Sequence, residues 1–374
     1  MRHLYLHVPF CQRRCSYCDF SIAVRKRVPA REYVEAVLRE LELVGLPEGG
    51  LETLYLGGGT PSLLPPDALA TLFTSLRDAF GATSLRDEVE VTLEANPEDV
   101  TPETAEAWSR AGVNRVSLGA QSFDDAVLKW MHRSHDAARI GDAVRVLRTA
   151  GIENVSLDLI FALPAELHRD WVRDLDLACS LEPTHLSLYG LTVEERTPLA
   201  RWISRGAASA PDDDRYAEEY LLAHVRLATC GYQFYEVSNA ARAGHRSRHN
   251  SAYWSGRAYL GLGPAAHSFD GRARRWNLPA WESYRRTVAT GRSPVESEEV
   301  LTDAQRELER LYLSLRTDAG LPLTALYRPL PPSTAQWVER GWAEFRDQRL
   351  VCTPEGWLRL DSLVRDLTGA AHTG

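Results

Sequence analysis

The sequence lacks a long apolar stretch, an excess of positive charge and the dense cysteines of a disulfide scaffold. Its 374 residues include 43 Lys and Arg against 51 Asp and Glu, a formal net charge of -8. General nucleic-acid-binding proteins are usually basic, so this balance argues against a nucleic acid partner. No apolar run approaches the roughly 20 residues of a membrane span. Met1 leads almost at once into an apolar strand, which leaves no room for a signal peptide, so we expect a cytoplasmic protein.

The six cysteines fall into two groups. Cys179, Cys230 and Cys352 stand singly, as reduced cytosolic thiols usually do. The other three lie close together, directly after a short apolar strand, and are Cys11, Cys15 and Cys18. Three thiolates at this spacing can hold three corners of a cubic iron–sulfur cluster and leave the fourth iron free to bind a small molecule.

A zinc site is the alternative interpretation of these cysteines, with His7 as a fourth ligand. A structural zinc ion needs four ligands in a closed shell, and no second Cys/His pair follows at finger spacing. The spacing therefore favours the iron–sulfur cluster over zinc.

Short β-rich runs alternate with segments of helical spacing through the first 240 residues. The runs lie at 3–9, 51–56, 88–93, 115–118, 154–161, 185–191 and 232–237. This alternation predicts an α/β fold, a parallel sheet with helices outside, in six or seven repeats of a complete or incomplete (β/α) barrel. Polar residues end several of these runs, and in such barrels the chemistry gathers at the carboxyl ends of the strands. We therefore expect the cysteine loop, the glycines at 57–59, Glu94, Gln121 and Asp158 to share one cavity.

The pattern changes twice towards the C-terminus. Residues 241–300 have weak periodicity and begin with a stretch rich in Arg, His, Gly and aromatic residues, and from residue 301 a new arrangement begins. Its predicted parts are a helix at 303–315, a Pro-rich turn at 329–332, a helix at 334–346 and a strand–turn–strand around 351–360. We expect a barrel over 1–240, a substrate-facing connection over 241–300 and a small helical or winged-helix-like domain over 301–374. The last region is not strongly basic, which favours a structural cap over DNA binding.

The cysteine motif after a first strand resembles that of the radical S-adenosylmethionine (SAM) superfamily. Further segments resemble the branch that contains oxygen-independent coproporphyrinogen III oxidase and the HemW-type heme chaperones. They are Tyr-Leu-His-Val-Pro-Phe-Cys at 5–11, Gly-Gly-Gly-Thr-Pro at 57–61, Glu-Ala-Asn-Pro at 94–97, Ser-Leu-Gly-Ala-Gln-Ser-Phe at 117–123 and Asp-Leu-Ile-Phe-Ala-Leu-Pro at 158–164. The resemblance implies a partial (β/α)6-type barrel, a [4Fe-4S] cluster on the three cysteines, and SAM. It also implies that an electron from the reduced cluster cleaves SAM to methionine and a 5′-deoxyadenosyl radical.

The resemblance assigns SAM contacts to nine positions: Tyr5, Gly58, Gly59, Thr60 and Glu94, with Tyr17, Gln121, Arg133 and Asp158 as further contacts. In the oxidase these four further contacts contribute to a second SAM site, so one or two SAM molecules are both possible here.

From the residues alone, other roles stay open. The glycines lack the Lys-Ser/Thr of a Walker phosphate loop. Glu94 or Asp158 could cap a helix, Arg133 could be an ordinary surface residue and Tyr5 could be plain core.

Two departures from the oxidase pattern and one further motif narrow the function. The oxidase has another cysteine two residues after the third, where this chain has Phe20, and it has an N-terminal extension before its cysteine motif. Both departures argue against oxidation of coproporphyrinogen. The segment His-Asn-Ser-Ala-Tyr-Trp at 249–254 resembles the HNxxYW motif of the heme chaperones. It implies heme as cargo, with His249 as an iron ligand, although this histidine could instead only orient a loop.

We therefore expect a heme chaperone that delivers heme to acceptor hemoproteins, with docking at a membrane surface left open. The alternatives are oxygen-independent coproporphyrinogen III oxidase and another radical SAM enzyme, for instance a methyltransferase. Whether the chain is an enzyme stays open at this point, as does its oligomeric state.

Overall fold

A computed structural model describes residues 1–45, 50–80, 89–325 and 332–369. The strands in these ranges are β1 His3–Val8, β2 Phe10–Cys11, β3 Ala23–Val24, β4 Thr53–Gly58, β5 Glu90–Ala95, β6 Arg115–Gln121, β7 Asn154–Phe161, β8 His185–Gly190, β9 Gln233–Glu236, β10 Asn239–Ala241, β11 Leu260–Leu262, β12 His267–Phe269, β13 Ala273–Asn277, β14 Val295–Val300, β15 Leu321–Pro322, β16 Ala343–Arg346 and β17 Arg349–Cys352. The helices are α1 Ala30–Val44, α2 Pro66–Phe80, α3 Pro102–Ala111, α4 Asp125–Trp130, α5 Ala137–Thr149, α6 Trp171–Ser180, α7 Pro198–Ser204, α8 Asp213–Thr229, α9 Arg248–Trp254, α10 Trp281–Ala289, α11 Asp303–Leu315, α12 Pro332–Glu339, α13 Pro354–Trp357 and α14 Leu360–Thr368.

The main sheet has nine strands in the order β11-β1-β4-β5-β6-β7-β8-β10-β9. Its first seven strands are parallel, while β10 runs antiparallel to β8 and β9 antiparallel to β10. The edge strands β11 and β9 do not pair with each other within the described ranges, so the barrel is open on one side. Strands β1 and β4 to β8 with their crossover helices give six repeats, which confirms the predicted partial (β/α)6-type fold.

Two strands of this sheet differ from the sequence expectation. The seventh predicted run, at 232–237, becomes the edge strand β9 and is antiparallel, because it returns through a tight connection to β10. The sequence predicts no strand at β11, yet Leu-Gly-Leu there pairs in parallel with β1. Three residues carry too little periodicity to be recognised. The third predicted run begins at residue 88, outside the described ranges, and β5 itself spans Glu90–Ala95.

The two faces of the sheet differ in chemistry because successive side chains point to opposite sides. One face carries the apolar residues that form the core with the helices, such as Leu4, Leu6 and Leu54. The alternate residues are polar, and the strand register aligns His3 with Thr53 and Thr53 with Glu90. A sheet covered by helices on both faces would be apolar on both. The polar face therefore lines the interior of the open barrel.

Helix α9 closes the floor of this interior. The backbone N–H groups of Arg248 and His249 each donate to the carboxylate of Glu90, at 2.9 Å in both cases. A carboxylate at the start of a helix satisfies N–H groups that have no partner within the helix. The side chain of His249 consequently lies inside the barrel and is only 1% exposed.

The C-terminal region contains helices and a small antiparallel sheet in the order β15-β17-β16. The helix predicted at 303–315 is confirmed as α11. The strand–turn–strand predicted around 351–360 is wrong, because the hairpin is β16–β17 and residues 354–357 and 360–368 are helical. The turn residues Asp347 and Gln348 both have positive φ, at 50° and 60°. A two-residue turn of this type is usually marked by Asn-Gly or Asp-Gly, so Asp-Gln gave no signal.

The helix predicted at 334–346 ends instead at Glu339, since the hairpin begins at Ala343. Most of the Pro-rich turn predicted at 329–332 lies outside the described residues. Among the helices that the structure describes, none is both long and apolar enough to cross a bilayer.

A buried carboxylate, Glu40 of α1, joins three parts of the chain. It accepts hydrogen bonds from the backbone N–H of Gly263 at 2.8 Å, from the Tyr284 hydroxyl at 2.6 Å and from the Asn277 amide at 2.5 Å. Burial raises the pKa of Glu40 to about 7, although these three hydrogen bonds oppose the rise. Glu40 thus fixes the connection after β11, strand β13 and helix α10 onto α1.

We expect Glu40 to make the folded state less stable as the pH rises. The native carboxyl keeps its proton up to about pH 7, whereas the unfolded one loses it near 4.5. The native state therefore binds more protons in this window, and the free energy of unfolding falls as the pH increases. In Glu40→Gln the free energy of unfolding should fall less steeply with pH, by up to about 1.4 kcal/mol per pH unit between these two pKa values. Urea unfolding at a series of pH values measures this slope.

The control for this experiment is Glu35→Gln, an exposed residue of the same helix paired with Arg31. It should leave the slope unchanged. If the free energy of unfolding of Glu40→Gln changed with pH as steeply as that of the parent protein, the carboxyl of Glu40 would not be protonated in the native state near neutral pH.

Candidate functional site

A cavity of about 350 Å³ lies at the carboxyl ends of the parallel strands, beside the loop that carries Cys11, Cys15 and Cys18. We call this loop the cysteine loop and this cavity the cluster cavity. Parallel strands bring their carboxyl ends to one edge of the barrel, where loops from distant parts of the chain meet. The three cysteines and eight of the nine predicted SAM contacts line it: Cys11, Cys15, Cys18, Tyr17, Gly58, Gly59, Thr60, Glu94, Gln121, Arg133 and Asp158. The ninth, Tyr5, does not line this cavity.

The cysteine loop is held at both ends. Its first cysteine ends β2, which pairs in parallel with β3 on the far side of the loop. Within the site the Thr60 hydroxyl donates to the Sγ of Cys11 at 3.4 Å, and Nη1 of Arg133 donates to the Sγ of Cys15 at 3.6 Å. Hydrogen bonds donated to sulfur stabilise the thiolate ligands of an iron–sulfur cluster and tune its potential.

These three thiols fit a [4Fe-4S] cluster. All three are free, and they border the same cavity. Burial raises the pKa of the Cys11 thiol, and it raises that of Cys18 to about 11. Metal ligation therefore has to displace their protons. Across the described ranges, no three His, Cys, Asp or Glu side chains are grouped to hold a single metal ion, whereas a cubic cluster takes one thiolate on each of three separate irons.

The glycine-rich segment after β4 packs directly against the cysteine loop. Gly58 has a φ of 110°, which only glycine adopts readily, and its N–H donates to Oε2 of Glu94 at 3.0 Å. The other oxygen of Glu94 accepts from the Tyr55 hydroxyl at 2.8 Å. A Cβ on Gly59 would lie 2.8 Å from the backbone of Pro9 and Phe10. The segment is therefore bare backbone at the cavity wall, as the sequence predicts for a close approach by SAM.

We expect Gly59→Ala to weaken SAM binding. The added methyl group has no room against the backbone before Cys11, so the glycine segment and the cysteine loop must move apart. Overpacking of this kind costs about 1–3 kcal/mol, and a similar loss in binding corresponds to an increase in Kd of about five-fold to 150-fold. Isothermal titration of cluster-reconstituted protein with SAM measures the change.

Gly50→Ala is the matched control, because no atom lies within 4 Å of the position that its Cβ would take. It should bind SAM like the parent protein. Equal affinities for the two variants would mean that the segment around Gly59 does not approach the ligand closely.

Carboxylates dominate the charge of this cavity. Burial raises the pKa of Glu94 to about 7 and that of Asp158 to about 6, and it also raises the pKa of Asp99 to about 6. Six acidic residues and two arginines line the cavity: Asp19, Glu94, Glu98, Asp99, Asp158 and Glu194, with Arg13 and Arg133. A wall of this composition attracts a cation. SAM carries positive charge on its sulfonium and its ammonium group, so the cavity suits it.

Arg133 joins two strand ends to the cysteine loop. Its Nη2 donates to Oδ1 of Asn96 at 2.5 Å and to the carbonyl of Gly119 at 2.9 Å. This arrangement differs from that of an ordinary surface arginine. The sequence pattern does not single out Asn96, although it lies two residues after Glu94 in the loop that leaves β5. Gln121, at the end of β6, has a φ of 69°, a strained conformation of the kind that clusters at functional sites.

Tyr5 and His249 lie deeper in the barrel than the cluster cavity. The Tyr5 hydroxyl is hydrogen-bonded to Nδ1 of His7 at 3.1 Å, and Tyr5 lines a second cavity of about 870 Å³. Both ring nitrogens of His249 have partners, Nδ1 with the Thr53 hydroxyl at 2.7 Å and Nε2 with the Tyr253 hydroxyl at 2.8 Å. Burial lowers the pKa of His249 to about 3, so the ring is neutral. Iron can reach it only after one of these partners leaves, and its role as a heme ligand stays a prediction.

Comparison with known proteins agrees with this architecture. A family model described as the radical SAM superfamily matches residues 5–178. The heme chaperone HemW of Mycobacterium tuberculosis (strain H37Rv) is 39% identical over 371 residues, covering 98% of this chain and 94% of that protein. The heme chaperone HemW of Bacillus subtilis (strain 168) is 34% identical over 326 residues, covering 86% of this chain and 85% of that protein.

The structure of coproporphyrinogen III oxidase (HemN) from Escherichia coli superposes with a TM-score of 0.79, covering 98% of this chain and 89% of that one. At 21% identity this likeness shows the fold alone. The identities over nearly full length with the two bacterial relatives go further than fold, and the chain belongs to the HemW heme chaperone family of the radical SAM superfamily.

Proposed function

We propose that this chain is a heme chaperone, which binds heme and passes it to acceptor hemoproteins while carrying a [4Fe-4S] cluster and SAM. The observation that carries the proposal is the 39% identity over 371 residues with a protein named heme chaperone HemW. Phe20, where the oxidase pattern has a further cysteine, argues against coproporphyrinogen oxidation. The E. coli oxidase is similar in fold, and that similarity alone does not transfer its reaction.

In this proposal Cys11, Cys15 and Cys18 hold three irons of the cluster and leave the fourth for SAM. When reduced, a cluster of this kind supplies the electron that cleaves the sulfonium bond of SAM. The protein's own residues position both groups. Thr60 and Arg133 donate to the thiolate sulfurs, and Glu94 holds the glycine segment through the N–H of Gly58. Glu94 and Asp158 line the same cavity and would offer their carboxyl groups to the positive charge of SAM.

The proposed setting is the cytoplasm, because none of the six cysteines forms a disulfide, as is usual in a reducing compartment. The proposed partners are hemoproteins that lack their heme. A membrane-bound acceptor would require the chaperone to dock at the membrane surface.

The test uses anaerobic, cluster-reconstituted protein with SAM and a reductant. Heme titration and turnover of coproporphyrinogen III are followed side by side, and heme-loaded protein is then mixed with an apo-hemoprotein. We expect stoichiometric heme binding, transfer to the acceptor, and no decarboxylation. Efficient formation of protoporphyrinogen IX would make the chain an oxidase. If neither heme binding nor turnover occurs, the chaperone proposal fails.

A further inference from the structure

The second cavity lies between β1, the small sheet of β12 and β13, and helix α11, on the open side of the barrel. Its volume of about 870 Å³ is more than twice that of the cluster cavity. Six aromatic residues line it, two of them the Tyr253 and Trp254 of the motif at 249–254. A pocket of this size and composition is typical of a site for a large planar ligand.

The charged residues that line the two cavities are mostly of opposite sign. Six acidic residues and two arginines line the cluster cavity, whereas four arginines and one glutamate line the second. The acidic cavity suits the cationic SAM, and the basic one suits an anion. A ligand that fits the second cavity is therefore large, flat, aromatic and negatively charged.

We propose that this second cavity is the heme site, with the His267 imidazole as iron ligand and the lining arginines facing the propionates. This inference rests on the proposed chaperone function, which names heme as cargo but does not say where it binds.

His267 has the properties of an available ligand. It lies on β12, its side chain is exposed to the cavity, and neither ring nitrogen has a hydrogen-bond partner among the described residues. Its ring stacks on Trp276 with centroids 5.9 Å apart, which holds the imidazole plane. A Cβ on Gly261 would come within 2.0 Å of the His267 carbonyl oxygen, so the backbone here is packed tightly against β11. Burial, with a contribution from Arg274, lowers the pKa of His267 and favours the neutral ring that binds iron.

His249 is the competing ligand, and its geometry is less favourable. Both of its nitrogens are hydrogen-bonded and its side chain is sealed in the barrel floor, whereas His267 needs no partner to leave. The hydrogen bond from His249 to Tyr253 instead fixes a tyrosine that lines the second cavity. His249 thus supports the wall of the proposed site from behind.

Polar groups around this cavity can receive carboxylates. Arg274 pairs with Glu309, and Arg306 with Asp303 on its own helix. Such partly exposed ion pairs contribute little to stability, so a propionate can replace the protein carboxylate.

Phe20 connects the two sites. It lines both cavities and is 58% exposed, a high value for a large apolar side chain. Heme in the second cavity would therefore border the cluster cavity at the one residue where the oxidase pattern has a cysteine. An apolar ring there offers a contact surface to a macrocycle and no thiol to react with it.

The first test compares heme titrations of the parent protein with His267→Gly, His249→Ala and the control His245→Ala, which lies on neither cavity. We expect His267→Gly to lose the Soret spectrum of histidine-ligated heme and to bind about ten-fold or more weakly, about 1.4 kcal/mol. Added imidazole should restore the spectrum, which a misfolded variant would not allow. His245→Ala should be unchanged.

An unchanged spectrum and affinity in His267→Gly would overturn the inference while leaving the chaperone function intact. If His249→Ala lost heme ligation and His267→Gly kept it, the iron ligand would be His249 in the barrel floor, and the inference would also be overturned. Failure of the parent protein to bind heme would overturn the proposed function, and the site with it.

The second test concerns charge. Arg306→Gln with Arg310→Gln removes two lining arginines of α11, and Arg110→Gln with Arg145→Gln removes two from exposed helical ion pairs elsewhere. We expect the first pair to bind heme about ten-fold more weakly and to bind heme dimethyl ester, which lacks the charges, like the parent. The proposed role of the arginines would be contradicted if both double variants lost the same affinity for heme, or if the first double variant lost as much affinity for the dimethyl ester as for heme.

Discussion

We expect the variant with Cys11, Cys15 and Cys18 all replaced by alanine to stay colourless after anaerobic reconstitution. The parent protein should become brown, with about four irons and four sulfides per chain, as a [4Fe-4S] cluster contains. In the proposed cluster each cysteine supplies one corner, and no further cysteine among the described residues lines the cavity to replace a lost one. The effect is therefore close to complete loss of cluster. Iron and sulfide analysis with electron paramagnetic resonance of the reduced protein measures it.

The matched control is Cys179→Ala with Cys230→Ala, two free and partly exposed cysteines, of which the first lies on α6 and the second directly follows α8. It should keep the full chromophore. A full complement of iron and sulfide in the triple variant would place the cluster elsewhere. One metal ion per chain and no sulfide in the parent protein would instead support the zinc alternative.

The loss of the cluster should leave heme binding in the second cavity largely intact, because no cluster cysteine lines it. This separation distinguishes a structural collapse from the removal of one cofactor. Heme titration of the triple variant therefore belongs with the iron analysis.

The residues around the cluster were predictable from sequence for a physical reason. Parallel strands end at a common edge, so polar residues in the carboxyl-terminal halves of neighbouring strands lie close to that edge, as Glu94, Gln121 and Asp158 do. Arg133 lies between α4 and α5, far from the strand ends in sequence. Only the family resemblance marked it, and the structure places it against Cys15 and Asn96.

Two kinds of feature leave no signal in the sequence: how deep a side chain lies in the barrel, and strands or turns of only two or three residues. Tyr5 has the right residue type and the right strand, but its position near the middle of β1 puts it below the edge where the cluster cavity lies. Strand β11 is three residues long, and the β16–β17 hairpin turns through two non-glycine residues at positive φ. The second cavity is built from β1, β12 and α11, whose meeting follows from tertiary packing and leaves no periodic signal.

A second large effect is expected from Arg169, which precedes α6 and is fully buried. Its Nη2 contacts Oε2 of Glu219 at 2.5 Å, and its Nη1 lies 3.7 Å from Oδ2 of Asp174. The same oxygen of Glu219 accepts the N–H of Ala162, at the end of β7, at 2.7 Å. The ion network thus joins the end of the strand that carries Asp158 to α6 and α8.

We expect Arg169→Met to lower the free energy of unfolding by about 3–5 kcal/mol, since it leaves the buried carboxylate of Asp174 without a cation and that of Glu219 with Arg215 alone. Burial raises the pKa of Asp174 even with Arg169 present, so the loss should be smaller at acid pH, where the carboxyl is protonated. Adding Asp174→Asn should recover part of the loss, because it removes the carboxylate that Arg169→Met leaves without a cation. Arg173→Met, at an exposed position on α6, should change stability by less than about 0.5 kcal/mol.

Urea unfolding of the four proteins at pH 5 and pH 7 gives these values. A loss for Arg169→Met no larger than that for Arg173→Met would mean that the buried carboxylates find other partners.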